Sequence, residues 1–156
     1  MFEGSMVALV TPFRDGKIDW EALKKLIDWQ IEQGTDVLVP CGTTGESATM
    51  THEEHRSVMD FVMEHVGGRV PVICGAGSNS TVEALGLVQH AKKAGAQGVL
   101  CVVPYYNKPT QEGMFRHYAY IAERVDIPIV LYNVPSRTGC SIQPETVRRL
   151  RKISNI

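Results

Sequence analysis

Five short runs of almost unbroken apolar residues, separated by longer stretches with helical apolar spacing, restrict this chain to a small set of folds. The runs are 6–12 (MVALVTP), 36–40 (DVLVP), 70–75 (VPVICG), 98–104 (GVLCVVP) and 127–134 (IPIVLYNV). A strand with one wet face alternates apolar and polar residues. A continuous apolar run instead expects burial on both faces, as in parallel strands covered by helices. Parallel strands also need crossovers, and the segments between the runs supply helices for them. Strand starts recur about every 30 residues, and a closing ISNI at 153–156 reads as a sixth strand just beginning.

The helices have readable ends. Asp19 suits an N-cap, after which Trp20, Leu23, Leu26, Ile27 and Ile31 fall on one face before Gly34 stops the helix. Thr51 with Glu54, and Ser80 with Glu83, have the spacing of a capping box. A fourth helix begins near Thr110 and turns Phe115, Tyr118 and Ile121 toward a core. A fifth spans 143–152, with Pro144 in its first turn, where the missing N–H costs nothing. Five such units fit a five-stranded doubly wound sheet, complete at about 150 residues, or part of an eightfold barrel of about 250. Periodicity by itself favours the sheet, because a barrel cut after five units leaves open edges.

Charge narrows the partners. With 16 Lys and Arg against 17 Asp and Glu, the net charge is -1, which offers no basic footprint for nucleic acid or an anionic membrane. The opening MFEGSMVALV lacks a basic leader and no apolar run approaches a membrane span, so a cytoplasmic protein is expected. Cys41, Cys74, Cys101 and Cys140 lie far apart with no C-x-x-C pair, and are expected to be reduced and to pack as small hydrophobes.

Candidate chemistry gathers at strand ends. Pro40-Cys41-Gly42-Thr43-Thr44-Gly45-Glu46 follows one strand and precedes a helix, so its glycines permit a tight turn aiming backbone N–H groups at a small anion. A plain turn with local threonine bonds fits equally well at this point. No G-K-[ST] follows and no G-x-G-x-x-G spacing occurs, so neither a Walker A loop nor a dinucleotide site is present there. Pro104-Tyr105-Tyr106-Asn107 and the stretch 131–139 (LYNVPSRTG) end the fourth and fifth strands, the edge where ligands bind in parallel βα proteins. Tyr132, Tyr106 and Thr43 could pass protons through their hydroxyls, or the tyrosines could merely cap the core edge. Arg137 could grip a carboxylate bidentately, or pair with a surface acid. His52-Glu53-Glu54-His55 lacks the i, i+4 histidine spacing of a zinc protease and opens a helix, a poor place for a cation, so no metal is expected.

GSMVALVTPF, GTTGES, PYYN and YNVPSRTG, in that order, resemble the dihydrodipicolinate synthase family, within the superfamily that also holds N-acetylneuraminate lyase and other 2-keto-acid aldolases. The resemblance covers essentially the whole chain. It implies a (β/α)8 TIM barrel, with residues 1–156 forming the N-terminal part of that single domain. It also implies condensation of pyruvate with aspartate semialdehyde through a lysine Schiff base, in the biosynthesis of diaminopimelate and lysine, with no cofactor. By the same resemblance Thr44 and neighbouring N–H groups hold the pyruvate carboxylate, while Thr43, Tyr132 and Tyr106 relay protons. Arg137 holds the carboxylate of the aldehyde, and its presence favours the synthase over the neuraminate lyases. Tyr106 is lent across a dimer interface, implying a homodimer or homotetramer. Ser47, Ala48, His52, His55, Asn79, Glu83 and Tyr105 match positions where some members bind lysine as a feedback inhibitor.

In such an alignment the Schiff-base lysine falls about four residues beyond Ile156. Lys17, Lys24, Lys25, Lys92 and Lys93 read as loop or solvent-facing helix residues, Lys152 precedes the sixth strand on the barrel face opposite the chemistry, and only Lys108, in the loop after the fourth strand, lies at the chemical end. The chain alone is therefore expected to be inactive. The alternatives are another pyruvate-dependent aldolase, or a non-catalytic half-barrel or lysine-binding fragment.

Overall fold

The structure, a computed structural model, describes residues 2–156. These form two compact units, one comprising the residues up to Gly75 with Lys93–Gln97, the other Ala76–Lys92 with Gly98–Ile156.

The first unit contains β1 (Met6–Ala8), β2 (Phe13–Arg14), β3 (Lys17–Ile18), α1 (Trp20–Glu32), β4 (Val37–Val39), α2 (His52–Val66) and β5 (Ile73–Gly75). β1 pairs in parallel with β4, from Met6 opposite Val37 to Ala8 opposite Val39, and a parallel bridge joins Leu38 to Val72. Asp19 caps α1 by accepting from the Ala22 N–H at 3.0 Å. The Thr51 and Glu54 box opens α2 with both reciprocal bonds made. The apolar stripes face inward: Leu23 and Ile27 of α1 and Val58, Met59, Val62 and Val66 of α2 are at most 1% exposed. Asp28 on α1 accepts from His65 and Arg69 at 2.8 Å each, tying the middle of α1 to the end of α2.

The second unit contains α3 (Thr81–Ala94) up to Lys92, β6 (Gly98–Val102), α4 (Gln111–Ala122), β7 (Ile129–Tyr132), α5 (Pro135–Thr138) and α6 (Pro144–Leu150). β6 and β7 pair in parallel, from Val99 opposite Ile129 to Val102 opposite Tyr132. Tyr118 and Ile121 of α4 are fully buried, and the Tyr118 hydroxyl donates to the Cys101 carbonyl at 3.1 Å. Gln111 braces α4 against the start of α6: its Oε1 accepts from the Gln143 N–H at 2.9 Å and the Thr146 hydroxyl at 2.8 Å.

Several expectations need correction. The strands are shorter than the apolar runs, because the runs continue past the ladders into turns and include Pro12, Pro40, Pro104 and Pro128, which cannot donate to a ladder. Burial on both faces holds for β4 and β5. It fails for β1 and β7, where Met6 is 44% and Val130 37% exposed. At the start of α3 a further residue, Ser78, joins the Ser80 and Glu83 pair. Glu83 N–H reaches the Ser80 hydroxyl at 3.4 Å, but the Glu83 carboxylate accepts from Ser78 at 2.8 Å and the Ser80 N–H goes to Ser78 Oγ. Residues 153–156 are not a strand. They wind in turns, with Ile153 N–H donating to Leu150 and Ile156 N–H to Ile153, although Ile129 N–H does reach the Asn155 carbonyl at 2.8 Å. The hairpin of β2 and β3 was not anticipated; it turns at Asp15-Gly16, whose φ values of +52° and +74° suit that dipeptide. α5 was missed as well, a single turn begun by Pro135 and ended by Gly139. Among the described residues no helix is long and apolar enough to cross a membrane.

His117 on α4 is 5% exposed, its Nδ1 sharing a hydrogen bond of 2.9 Å with the Thr81 hydroxyl. Burial disfavours the imidazolium and pushes its pKa down from 6.5 to about 4. Over that interval the unfolded chain binds the proton and the folded one does not, so stability falls as pH drops from 6.5 toward 4, by at most about 1.4 kcal/mol per pH unit. Urea unfolding between pH 7 and 4.5 should show this slope in the unsubstituted protein and a shallower one in His117→Gln, which cannot gain the charge.

Candidate functional site

The loop after β4 is built by local backbone bonds and by a close approach at one glycine, Gly45. Gly45 N–H donates to Gly42 and Glu46 N–H to Thr43, both at 3.1 Å, and Ser47 N–H reaches Gly42 at 3.4 Å. Cys41 and Glu46 both take left-handed backbone at φ +58°, conformations that cost energy outside glycine. A side chain at Gly45 would crowd the Leu9 carbonyl, the Cys41 nitrogen and the Thr11 hydroxyl, at 3.0, 3.1 and 3.3 Å. Thr11 donates its hydroxyl to the Gly45 carbonyl at 2.8 Å, tying the loop to the segment after β1. Sequence reasoning missed Thr11, although a threonine inside an apolar run was a readable anomaly.

The turn uses the N–H groups of Gly45, Glu46 and Ser47 and leaves those of Thr43 and Thr44 without a partner among the described residues. Both threonines are exposed, and neither hydroxyl bonds locally, so the loop is more than a self-satisfied turn. It presents two backbone donors and two hydroxyls, a set suited to a carboxylate.

Beneath the loop, Gly75 closes β5. Its N–H donates to the Pro40 carbonyl at 2.9 Å, its carbonyl accepts from His55 Nε2 at 2.8 Å, and a Cβ there would run into the Cys41 carbonyl. His55 is 6% exposed, while His52 and Ala48 are exposed and Ser47 half-buried. Ser47 and Ala48 lie on the one-turn helix Ser47–Thr49. Burial pushes up the thiol pKa of Cys41, and that of Cys74 to about 12, keeping both protonated at neutral pH.

In the second unit the Tyr105, Tyr106, Tyr132 and Arg137 candidates all lie past the ends of β6 and β7 or on β7's last residue. Tyr132 is half-buried, and its carbonyl accepts from Val103 N–H at 2.9 Å. Tyr106 is 89% exposed on left-handed backbone at φ +70°. The Tyr106 and Tyr132 hydroxyls are not bonded to each other, so within this unit the relay is not closed. Asn107 brings two further candidates together: its N–H donates to the Tyr105 carbonyl at 2.8 Å and its side chain to the Asn79 carbonyl at 3.3 Å. Glu83, half-buried, accepts from Ser78. Arg137 is exposed on α5, and no carboxylate among the described residues pairs with it, which removes the surface ion pair considered above. The Cys140 thiol donates to the Pro104 carbonyl at 3.2 Å, holding the loops after β6 and β7 together.

The sequence model of the Dihydrodipicolinate synthetase family matches residues 1–156. A 4-hydroxy-tetrahydrodipicolinate synthase of Syntrophus aciditrophicus is 64% identical over all 156 residues, which span 54% of that protein. A crystal structure of dihydrodipicolinate synthase from Aquifex aeolicus superposes with TM-score 0.98 at 51% identity, over 99% of this chain and 53% of that one. The chloride-inhibited enzyme from Acinetobacter baumannii, complexed with pyruvate, gives TM-score 0.98 at 50% identity over 100% of this chain and 54% of that one. The Cyanidioschyzon merolae enzyme with lysine bound gives 0.95 at 42% identity over 99% of this chain and 54% of that one. The chain thus spans about half the length of the relatives it matches, and the likeness decides for the TIM-barrel fold over the doubly wound sheet.

The crowding at Gly75 predicts a sharp contrast between two glycines. Gly75→Ala should lower stability by about 3 kcal/mol or prevent folding, since backbone must move to admit the methyl group. Gly86→Ala, inside α3 where an added Cβ meets nothing within 4 Å, should raise it by about 1 kcal/mol. Thermal melts of the two variants beside the unsubstituted protein test both.

Proposed function

Since the chain belongs to the dihydrodipicolinate synthetase family, we propose that it carries the substrate-orienting part of a 4-hydroxy-tetrahydrodipicolinate synthase, condensing pyruvate with aspartate semialdehyde in lysine biosynthesis. The observation that carries this reading is the pair of unspent N–H groups at Thr43 and Thr44, beside two free hydroxyls. In the proposed cycle Thr44 and these N–H groups hold the pyruvate carboxylate, while a lysine amine attacks the ketone carbon and water leaves. Loss of a methyl proton gives an enamine, whose carbon attacks the aldehyde of the second substrate. Thr43, Tyr132 and Tyr106 pass the protons to and from these atoms, and Arg137 holds the second carboxylate. The pyruvate complex of the Acinetobacter relative supports the first substrate.

A homodimer or homotetramer is part of the same proposal. It is supported by Tyr106, whose ring is 89% exposed on strained backbone, an arrangement suited to a side chain that works in a partner's site. The lysine-bound Cyanidioschyzon relative supports lysine as a ligand, and its proposed place as an effector is at Ser47, Ala48, His52, His55, Asn79, Glu83 and Tyr105. Within this group His55 already uses Nε2 on the Gly75 carbonyl and Glu83 already accepts from Ser78. Their proposed part is therefore to shape the site, with the rest giving direct contacts.

The nucleophile is proposed to lie outside these 156 residues. All seven lysines, Lys17, Lys24, Lys25, Lys92, Lys93, Lys108 and Lys152, are exposed, whereas a Schiff-base amine works at neutral pH when desolvation lowers its pKa. Incubation with pyruvate and borohydride, followed by intact mass, separates the cases. The full-length enzyme is expected to gain one reduced pyruvate adduct and this chain none. A stoichiometric adduct on any of the seven lysines would sink the reading.

A further inference from the structure

We infer that Lys108 is a second cation for the carboxylate of the aldehyde substrate, acting beside Arg137; this deepens the synthase reading above and rests on it. Lys108 is held in an unusual place. Its backbone is left-handed at φ +44°, two residues after Tyr106 at φ +70°, conformations that L side chains adopt only where the surroundings impose them. The surroundings are visible: Asn107 fastens this loop to Tyr105 and Asn79, and the Cys140 thiol fastens its start at Pro104.

The side chain then runs across the turn that carries Arg137. Gly139 ends α5 at φ +69°, and the place its Cβ would occupy lies 2.9 Å from Lys108 Cε and 3.7 Å from Nζ. A lysine stem thus lies over the bare face of a glycine two residues past the arginine, and it carries the ammonium to the same turn.

Charge supplies the second observation. Residues 104–111 and 127–144 contain Lys108 and Arg137 and no Asp or Glu. No carboxylate among the described residues pairs with either cation. Two like charges fixed on touching loops repel, and an anion between them relieves that repulsion. The proposed second substrate carries a carboxylate at one end and an ammonium group near it, with the aldehyde beyond. Arginine grips a carboxylate with a planar fork, while lysine acts as a point charge without fixed geometry. Together they set which way the molecule lies, drawing the carboxylate in and turning the ammonium outward. Lys108 in this account binds and orients; it moves no proton.

The test uses the full-length enzyme with pyruvate and aspartate semialdehyde varied separately. Lys108→Met keeps a stem over Gly139 and removes the charge; Lys108→Arg keeps the charge. The Met variant is expected to raise KM for the semialdehyde by about 5- to 20-fold while kcat and the pyruvate KM stay within about twofold, and the Arg variant to restore it. An unchanged semialdehyde KM in Lys108→Met overturns the inference, as does an equal loss in the Met and Arg variants, which would mark a role for the loop's shape alone. The unsubstituted enzyme reports on the parent reading independently: without turnover of these two substrates, both fall.

Discussion

The backbone of Gly75 is the point on which the first unit depends. Its N–H and carbonyl are both committed, to Pro40 and to His55, and the space where a side chain would sit is filled by the Cys41 carbonyl. Those three contacts fix the end of β5 against the start of the loop that displays Thr43 and Thr44. Because buried amide groups must find partners, the loop has little freedom once Gly75 is placed. Cys41 in this loop keeps left-handed backbone at φ +58°. His55, conspicuous in the sequence as a ligand candidate, works first as a donor to that carbonyl.

The second unit solves the same problem with side-chain amides. The Asn107 side chain donates to the Asn79 carbonyl, Asn155 donates to those of Ala122, Val125 and Ile127, and Gln111 ties α4 to α6. Loops that would otherwise be mobile are thereby braced by short polar side chains rather than by further strands. Braced loops can hold strained residues, and Tyr106 and Lys108 are two such residues at the end of β6. Strain of this kind persists when neighbouring contacts over-determine the backbone, which is what Asn107 and Cys140 provide.

Much of this was legible from sequence. Asp19 and the Thr51 and Glu54 pair marked helix starts that the structure keeps, because capping is decided within four residues. Continuous apolar runs marked the strands, yet not their ends, since a run records burial whereas a strand requires a neighbour to pair with. That is why 6–12 contracts to Met6–Ala8 while Leu9 still donates to Val39. At the Ser80 and Glu83 pair, Ser78 from outside the motif also takes part, donating to the Glu83 carboxylate and accepting from the Ser80 N–H. The Asp15-Gly16 hairpin carried a plain turn dipeptide and was missed only because the βα rhythm dominated the reading. Burial of His55 and the reach of Lys108 toward Gly139 join segments 20 or more residues apart, and no local pattern encodes such a meeting. Within the loop after β4, sequence left open whether the N–H groups of Thr43 and Thr44 were taken up by the turn, and the hydrogen-bond pattern was needed to decide.

The chemistry of the two units differs in a way that bears on specificity. The loop after β4 offers neutral donors, two amides and two hydroxyls, and follows them with the exposed acid Glu46. A phosphate carries more charge and more oxygens than such a loop can satisfy, and strand-to-helix loops that bind phosphates add a lysine to their amides. A monocarboxylate needs only two or three donors, so the chemistry of the loop suits a small carboxylate better than a phosphate. Because Thr43 and Thr44 are exposed, water satisfies their N–H groups until a ligand arrives, and leaving them unspent costs the fold little. The second unit instead holds two cations, Lys108 and Arg137, on braced loops with no carboxylate among the described residues paired to either. Both units thus leave polar groups at the strand ends without an internal partner among the described residues, the N–H groups of Thr43 and Thr44 in one and the Lys108 and Arg137 cations in the other.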